Sequence, residues 1–340
     1  MADDFLKLSA HDRKDALEVA ANASGRPAHL LEKDVWVVWA LQVLFGSPVA
    51  NHLVFKGGTS LSKAYGAIRR FSEDVDLTYD IRAIAGDLIG DRADALPPNR
   101  SQEKRWTKAI KERLAGWVGG EALTIIRTAL DAAKLPAKAE ADADKIHIHY
   151  EPTASGTGYV RPAVLLEFGA RSTGEPWEEK HIVCDAAAHL SGVAFPETFA
   201  RTMCVERTFW EKATAIHVFC AQGTYRGAER FARHWYDLVR LNEAGLAERA
   251  IAARDIAGAV AKHKTIFFSE KSADSQVIDY EAAIGGKLCL VPEGQALERL
   301  AEDYAAMVRD GLLLDDADPF DTIMARCRAI QDMANRAAVR

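Results

Sequence analysis

A glycine pair at a strand-to-helix corner, followed by two aspartates on the next apolar strand, limits this chain more than any other feature. Phe55-Lys56-Gly57-Gly58-Thr59-Ser60-Leu61-Ser62-Lys63 places two glycines, hydroxyls and a lysine where a short apolar strand turns into a helix. Backbone N–H groups at a helix start lack partners and sit at the positive end of the helix dipole, so such a corner can hold phosphate oxygens. Arg69-Arg70-Phe71-Ser72-Glu73-Asp74-Val75-Asp76-Leu77 follows. Asp-x-Asp spacing puts both carboxylates on one strand face, where a hard divalent cation can bridge them. A phosphate cradle beside such a face is the apparatus of nucleotidyl transfer.

Other nucleotide-binding loops are disfavoured. A Walker A loop needs glycine before its Lys-Ser/Thr pair, and here Ser62 precedes Lys63 and Ala64 follows it. Gly156-Thr157-Gly158 lacks the third glycine of a dinucleotide fingerprint. The glycine corner could still be a plain helix start. A half-buried acidic pair repels itself unless cations compensate it, and Arg69 and Arg70 could be those cations in place of a metal. Asp142-Ala143-Asp144 repeats the acidic spacing in an alanine-rich stretch with no glycine turn before it, which reads as solvated surface.

Three further positions carry chemistry. Glu167 sits inside Ala163-Val164-Leu165-Leu166-Glu167-Phe168, where an unpaired carboxylate is costly to bury. It is either a third metal ligand or a partner for Arg171. Val205, Phe209, Lys212 and Ile216 form one helical stripe. A lysine there either snorkels out or meets a buried anion, and a triphosphate would be such an anion. On the next helix Arg230, Arg233, His234 and Asp237 share one side, Phe231, Trp235 and Leu238 the other. His147-Ile148-His149 has no third ligand at recognisable spacing, and Asp315-Asp316-Ala317-Asp318 lacks the glycine and glutamate of a calcium loop.

Composition narrows the class. The chain has 340 residues and a formal charge of −6, so it is not coated in positive charge to grip nucleic acid. A local basic helix remains: Arg100, Lys104, Arg105, Lys108, Lys111 and Arg113 face only Glu103 and Glu112, consistent with a phosphate backbone lying there. The five cysteines are dispersed without a C-x-x-C pair, as expected of reduced thiols. Val35 to Phe45 is the greasiest run and falls short of the ~20 residues of a spanning helix, so a core helix and no membrane contact are expected. The acidic start Met1-Ala2-Asp3-Asp4 has no secretory character, which points to the cytoplasm.

The expected organisation is α+β. Helices run to about Phe45; strands are expected at His52–Phe55, Val75–Tyr79, Lys145–Tyr150, Val160–Phe168 and His181–Asp185. A helix follows the glycines from Ser60 to Ile68, and a long helical region spans about Asn99 to Leu135. After Pro196 the chain reads as helical to its end. The expected domains are 1–195, a mixed-sheet core with N-terminal helices, and 196–340, a helical domain.

In family order, these segments resemble the AbiEii/AbiGii nucleotidyltransferase toxins of type IV toxin–antitoxin systems, which include the MenT toxins. The matching blocks are Glu32-Lys33-Asp34, Phe55 to Lys63, Arg70 to Leu77, Glu211-Lys212 and Tyr236-Asp237-Leu238, spanning about Glu32 to Leu241. Several members carry aspartate where this chain has His234, and the last hundred residues match no known motif. The resemblance implies a DNA polymerase β-like nucleotidyltransferase core, Mg²⁺ (with Mn²⁺ as the alternative ion), a nucleoside triphosphate and, for at least some members, a tRNA acceptor. It makes Asp74 and Asp76 metal ligands and Gly57, Gly58, Thr59 and Ser60 the triphosphate cradle; Glu167, from its strand position alone, is the candidate third ligand. Lys63 and Ser72 join the cradle as substrate-binding positions, and Lys212 and Asp237 are further catalytic residues. It also implies an antitoxin encoded nearby. Two competing readings are a kinase-like transferase passing the γ-phosphate and a non-catalytic nucleotide-binding protein.

Overall fold

Strands of alternating burial build one mixed seven-stranded sheet, and its middle strand carries the acidic pair. The computed structural model describes residues 3–72, 74–154, 161–223, 230–309, 313–314 and 317–339. Glu73, Gly156-Thr157-Gly158, Asp315 and Asp316 lie outside them. The sheet strands are β1 (Leu53–Lys56), β2 (Asp74–Tyr79), β3 (Ala137–Asp142), β4 (Lys145–Tyr150), β5 (Ala163–Gly169), β6 (Trp177–Val183) and β7 (Glu197–Met203), in spatial order β3-β4-β5-β2-β1-β7-β6. β2 runs parallel to β5, and β1 parallel to β7; the other neighbours are antiparallel.

Along β2 the residues Val75, Leu77 and Tyr79 are buried, as are Val164, Leu166 and Phe168 on β5 and Ile146, Ile148 and Tyr150 on β4. That dry face meets a buried helix. Helices α1 (Ala10–Ser24) and α2 (Ala28–Phe45) are separated by Gly25-Arg26-Pro27, with Gly25 left-handed at φ 73° closing α1. Every residue of α2 from Leu30 to Leu41 is buried, as a helix apolar all round must be. Its Trp36 stacks on Tyr150 of β4, ring centroids 5.1 Å apart.

The remaining helices are α3 (Gly57–Lys63), α4 (Ile81–Ile89), α5 (Arg100–Trp117), α6 (Leu123–Ala133), α7 (Val205–Gln222), α8 (Arg233–Glu243), α9 (Leu246–Ala252), α10 (Arg254–Phe267), α11 (Gly294–Arg309) and α12 (Phe320–Ala338). The chain is α+β as expected, a mixed sheet followed by a helical C-terminal region. It packs as two units. One comprises Met1–Ala64, Phe71–Asp91 and Trp106–Met203; the other comprises Tyr65–Arg70, Arg92–Arg105 and Cys204–Arg340.

Two strands of this sheet were not expected. Ala137-Lys138-Ala139-Glu140-Ala141-Asp142 has helix-forming composition, yet pairs residue for residue with β4, and sheet pairing overrides a weak local preference. Glu197–Met203 lies beyond Pro196, where helix was expected, and pairs with both β1 and β6. Helix α3 starts at the glycines and ends at Lys63, short of Ile68.

Candidate active site

The pairing of β1 with β2 explains the spacing of the two leading motifs. Antiparallel register sets Lys56 opposite Asp76, so the glycines just after Lys56 fall beside the acidic strand. Gly57 has φ +78°, a conformation side chains avoid. It is also where the Asp76 carboxylate rests, since a Cβ built on Gly57 would lie 2.7 Å from Asp76 Cγ. Glycine is needed here for both reasons. Helix α3 has no side-chain cap on its first turn. The hydroxyls brace the corner from within: Thr59 donates to the Asp74 carbonyl, Ser60 Oγ to the Gly57 carbonyl at 2.9 Å, and Ser62 Oγ to the Thr59 carbonyl at 3.0 Å. Thr59 and Ser60 are buried, and Ser72 is half-buried two residues before β2.

Asp74 and Asp76 share the half-buried face of β2, while Val75 between them is buried. Register extends that face sideways. Lys56, Asp76, Glu167 and Lys145 form one row across β1, β2, β5 and β4. Glu167 is ion-paired with Lys145, so the cation beside it comes from the neighbouring strand. The hydrogen bond to Glu167 raises the Lys145 pKa above its usual value, with Asp144 and Asp74 adding to the field. Among the described residues no group of three or more His, Cys, Asp or Glu side chains is placed to hold a metal unaided. Two carboxylates on one face nevertheless suit Mg²⁺, which is commonly bound by one or two carboxylates plus substrate phosphates and water. Asp142 and Asp144 are both exposed, at the end of β3 and in the turn after it.

Lys63 is placed otherwise than a phosphate contact would be. Its Nζ lies 2.7 Å from Asp34 and 2.8 Å from Asp185, with its side chain 6% exposed. Asp34 also accepts the Asp185 N–H at 2.6 Å, and burial raises the Asp34 carboxyl pKa while Lys63 draws it back. The block Glu32-Lys33-Asp34 is a polar seam in the buried helix α2. Glu32 accepts from the N–H and hydroxyl of Thr153 at 2.8 and 2.7 Å and from the Ala154 N–H at 3.1 Å; Lys33 donates to the Arg161 carbonyl at 3.3 Å. From sequence alone this block has no evident role. Its signal was three charges in succession leading into a run too apolar to face water.

In the other unit, Lys212 of α7 meets its buried anion, and the anion is Asp237 of α8, 2.8 Å away. Arg70 holds the same carboxylate with two bonds, Nε to Oδ1 at 2.7 Å and an η-nitrogen to Oδ2 at 2.8 Å. Burial pushes the Asp237 carboxyl up, but Arg70 and Lys212 more than reverse this and hold it well below the carboxylate range. Two cations thus share one buried carboxylate. Tyr236, one residue earlier, donates its hydroxyl to the Arg69 carbonyl at 3.0 Å. Tyr236-Asp237 therefore clamps Arg69-Arg70, the pair immediately preceding the Phe71-Ser72 lead into β2. His234 is half-buried, with its Nδ1 enclosed; loss of solvation, then Lys212, pushes its pKa well below the ordinary value, so the imidazole is neutral at physiological pH. Its Nδ1 has no hydrogen-bond partner among the described residues.

Comparison with known proteins bears on this geometry. No curated protein matches the chain significantly. Among solved structures, JHP933 from Helicobacter pylori is similar over 91% of this chain and 90% of its own, at 15% identity and a TM-score of 0.38. A candidate nucleotidyltransferase from H. pylori is similar over 92% and 96%, at 14% identity and a TM-score of 0.41. Residues 39–326 match the family described as nucleotidyl transferase AbiEii toxin, type IV TA system. The match runs through the C-terminal residues that carried no recognisable motif, so they too are part of the family's length. The chain belongs to the AbiEii nucleotidyltransferase toxin family of type IV toxin–antitoxin systems.

Proposed function

We propose that the protein transfers a nucleoside monophosphate from a nucleoside triphosphate to an RNA hydroxyl, with the 3′ acceptor end of tRNA as the expected acceptor. The seating of the Asp76 carboxylate against Gly57 carries this reading, because it joins the phosphate-binding corner and the acidic face into one surface. Asp74 and Asp76 would hold Mg²⁺ together with the nucleotide phosphates. That ion would supply Lewis-acid stabilisation of the phosphates and lower the pKa of the attacking hydroxyl.

The acceptor oxygen forms a bond to the α-phosphorus as the bond to the β-phosphate oxygen breaks, releasing pyrophosphate. Little covalent chemistry is asked of the protein; positioning and charge stabilisation dominate. Backbone N–H groups at the start of α3 orient the phosphates, while the hydroxyls of Thr59 and Ser60, tied back to the backbone, keep the corner rigid. Lys212 carries the charge-neutralising role the family resemblance implies. Asp237 is a poor base at so depressed a pKa, and we assign it to positioning Lys212 and Arg70. The working compartment is the cytoplasm, and an antitoxin is the expected protein partner.

Incubation with Mg²⁺, RNA and NTP labelled at either the α- or the γ-phosphate tests the reaction. Label appearing on RNA only from the α-position supports it. Transfer of the γ-label would replace it with a kinase reaction, and nucleotide binding without labelled RNA would replace it with a non-catalytic role.

A further inference from the structure

Helix α5 is buried on one side through Trp106, Ile110 and Leu114 and exposed on the other. At 100° per residue, Arg100, Lys104, Lys108 and Lys111 fall within one narrow arc of the exposed side. Successive members are separated by about one helical turn, or ~6 Å, so the row is a line of charge and not a cluster. All four are exposed, and among the described residues none has an ion pair or side-chain hydrogen bond. Several exposed cations elsewhere are engaged, among them Arg82 with Asp80 and Glu175, Arg113 with Asp87 and Lys262 with Asp94, while others such as Lys134, Lys138 and Arg299 are exposed singly. What sets the α5 residues apart is that four of them line up on one helix face. A row of unneutralised cations on a protein of charge −6 is complementary to a polyanion with regularly spaced charge.

We propose that this face of α5 is a docking strip for an RNA phosphate backbone. The inference rests on the reading that the acceptor is RNA and adds the surface that holds it. Contacts of this kind neutralise phosphates, release counterions and carry no base specificity. They need neither nucleotide nor chemistry at the acidic face, so binding separates this proposal from the transfer reaction.

The test compares wild type with the Lys104→Ala, Lys108→Ala, Lys111→Ala triple variant. Fluorescence anisotropy of a labelled RNA hairpin with a single-stranded 3′ end is read without NTP over a range of KCl. If each lysine neutralises one phosphate, the slope of log K against log salt flattens by about 2–3. Raising salt fourfold then weakens wild type about 20- to 40-fold more than it weakens the variant. Lys262→Ala, which removes a cation already paired, leaves the slope unchanged. Circular dichroism confirms folding, since the altered side chains are exposed. An unchanged slope in the triple variant overturns the proposal whatever the transfer assay shows, and assigns the strip to an acidic protein partner or to solvent alone.

Discussion

Replacing Asp237 with alanine removes the carboxylate that Arg70 and Lys212 both hold, and folding stability is the property that responds. The Arg70 side chain is 3% exposed, that of Lys212 10% and that of Asp237 0%. Breaking a buried pair by deleting one partner costs about 3–5 kcal/mol, because the remaining charge is left uncompensated in low dielectric. Asp237→Ala takes the carboxylate from beside two buried cations, and a loss within that range is expected. Lys212→Met is different. It leaves the two-bond Arg70–Asp237 pair intact and puts an apolar side chain into the stripe of Val205, Phe209 and Ile216, so a loss of about 1 kcal/mol or less is expected. Urea unfolding followed by tryptophan fluorescence reads this directly, since Trp210 of α7 and Trp235 of α8 are both buried. The pH dependence has a definite sign. A carboxyl depressed in the folded state contributes fully above its unfolded value of about 4 and loses that contribution as pH falls through its folded value. The gap between wild type and Asp237→Ala is therefore flat from neutral pH to about 4 and narrows only below that. Equal losses for Asp237→Ala and Lys212→Met, or an Asp237→Ala protein as stable as wild type, would refute the clamp. Inactivity of an Asp237 variant by itself does not identify a base.

Other sites give sharper separations. Gly57→Ala forces a side chain into left-handed backbone at about 1–2 kcal/mol and pushes the Asp76 carboxylate aside, so both melting temperature and transfer fall; a variant with unchanged transfer contradicts the seating of Asp76. Lys63→Met leaves Asp34 buried without its ammonium and lowers stability by about 3–5 kcal/mol in chemical denaturation; if only the KM for NTP changes, Lys63 contacts phosphate after all. Glu32→Gln weakens the bonds to Thr153 and Ala154 and costs about 1–3 kcal/mol by the same assay, with no change expected in transfer at a temperature where the variant is folded.

Much of this was legible because local chemistry and tertiary pairing agree. The apolar run from Val35 to Phe45 reads as a core helix, and it is buried on every side from Val35 to Leu41. The glycine corner and acidic strand are sequence neighbours joined by one antiparallel register, so their proximity follows from strand pairing. What the sequence hid depends on distant partners. Nothing local reveals that Arg70 serves Asp237, 167 positions later. Nothing near Lys63 announces Asp34 and Asp185, and the hydroxyls of Thr59 and Ser60 look like phosphate ligands until their backbone acceptors are seen. The strand Ala137–Asp142 was hidden for the opposite reason: its own residues favour helix, and only β4 makes it a strand.

Transfer of α-³²P-labelled nucleotide to tRNA by wild type, Asp74→Asn and Asp76→Asn, with Mg²⁺ and with each variant's melting curve alongside, tests the central claim most directly. Labelled RNA from wild type and none from either variant, with a cooperative melting curve from each showing that it is folded, is the expected result. Full transfer by either folded variant would contradict it.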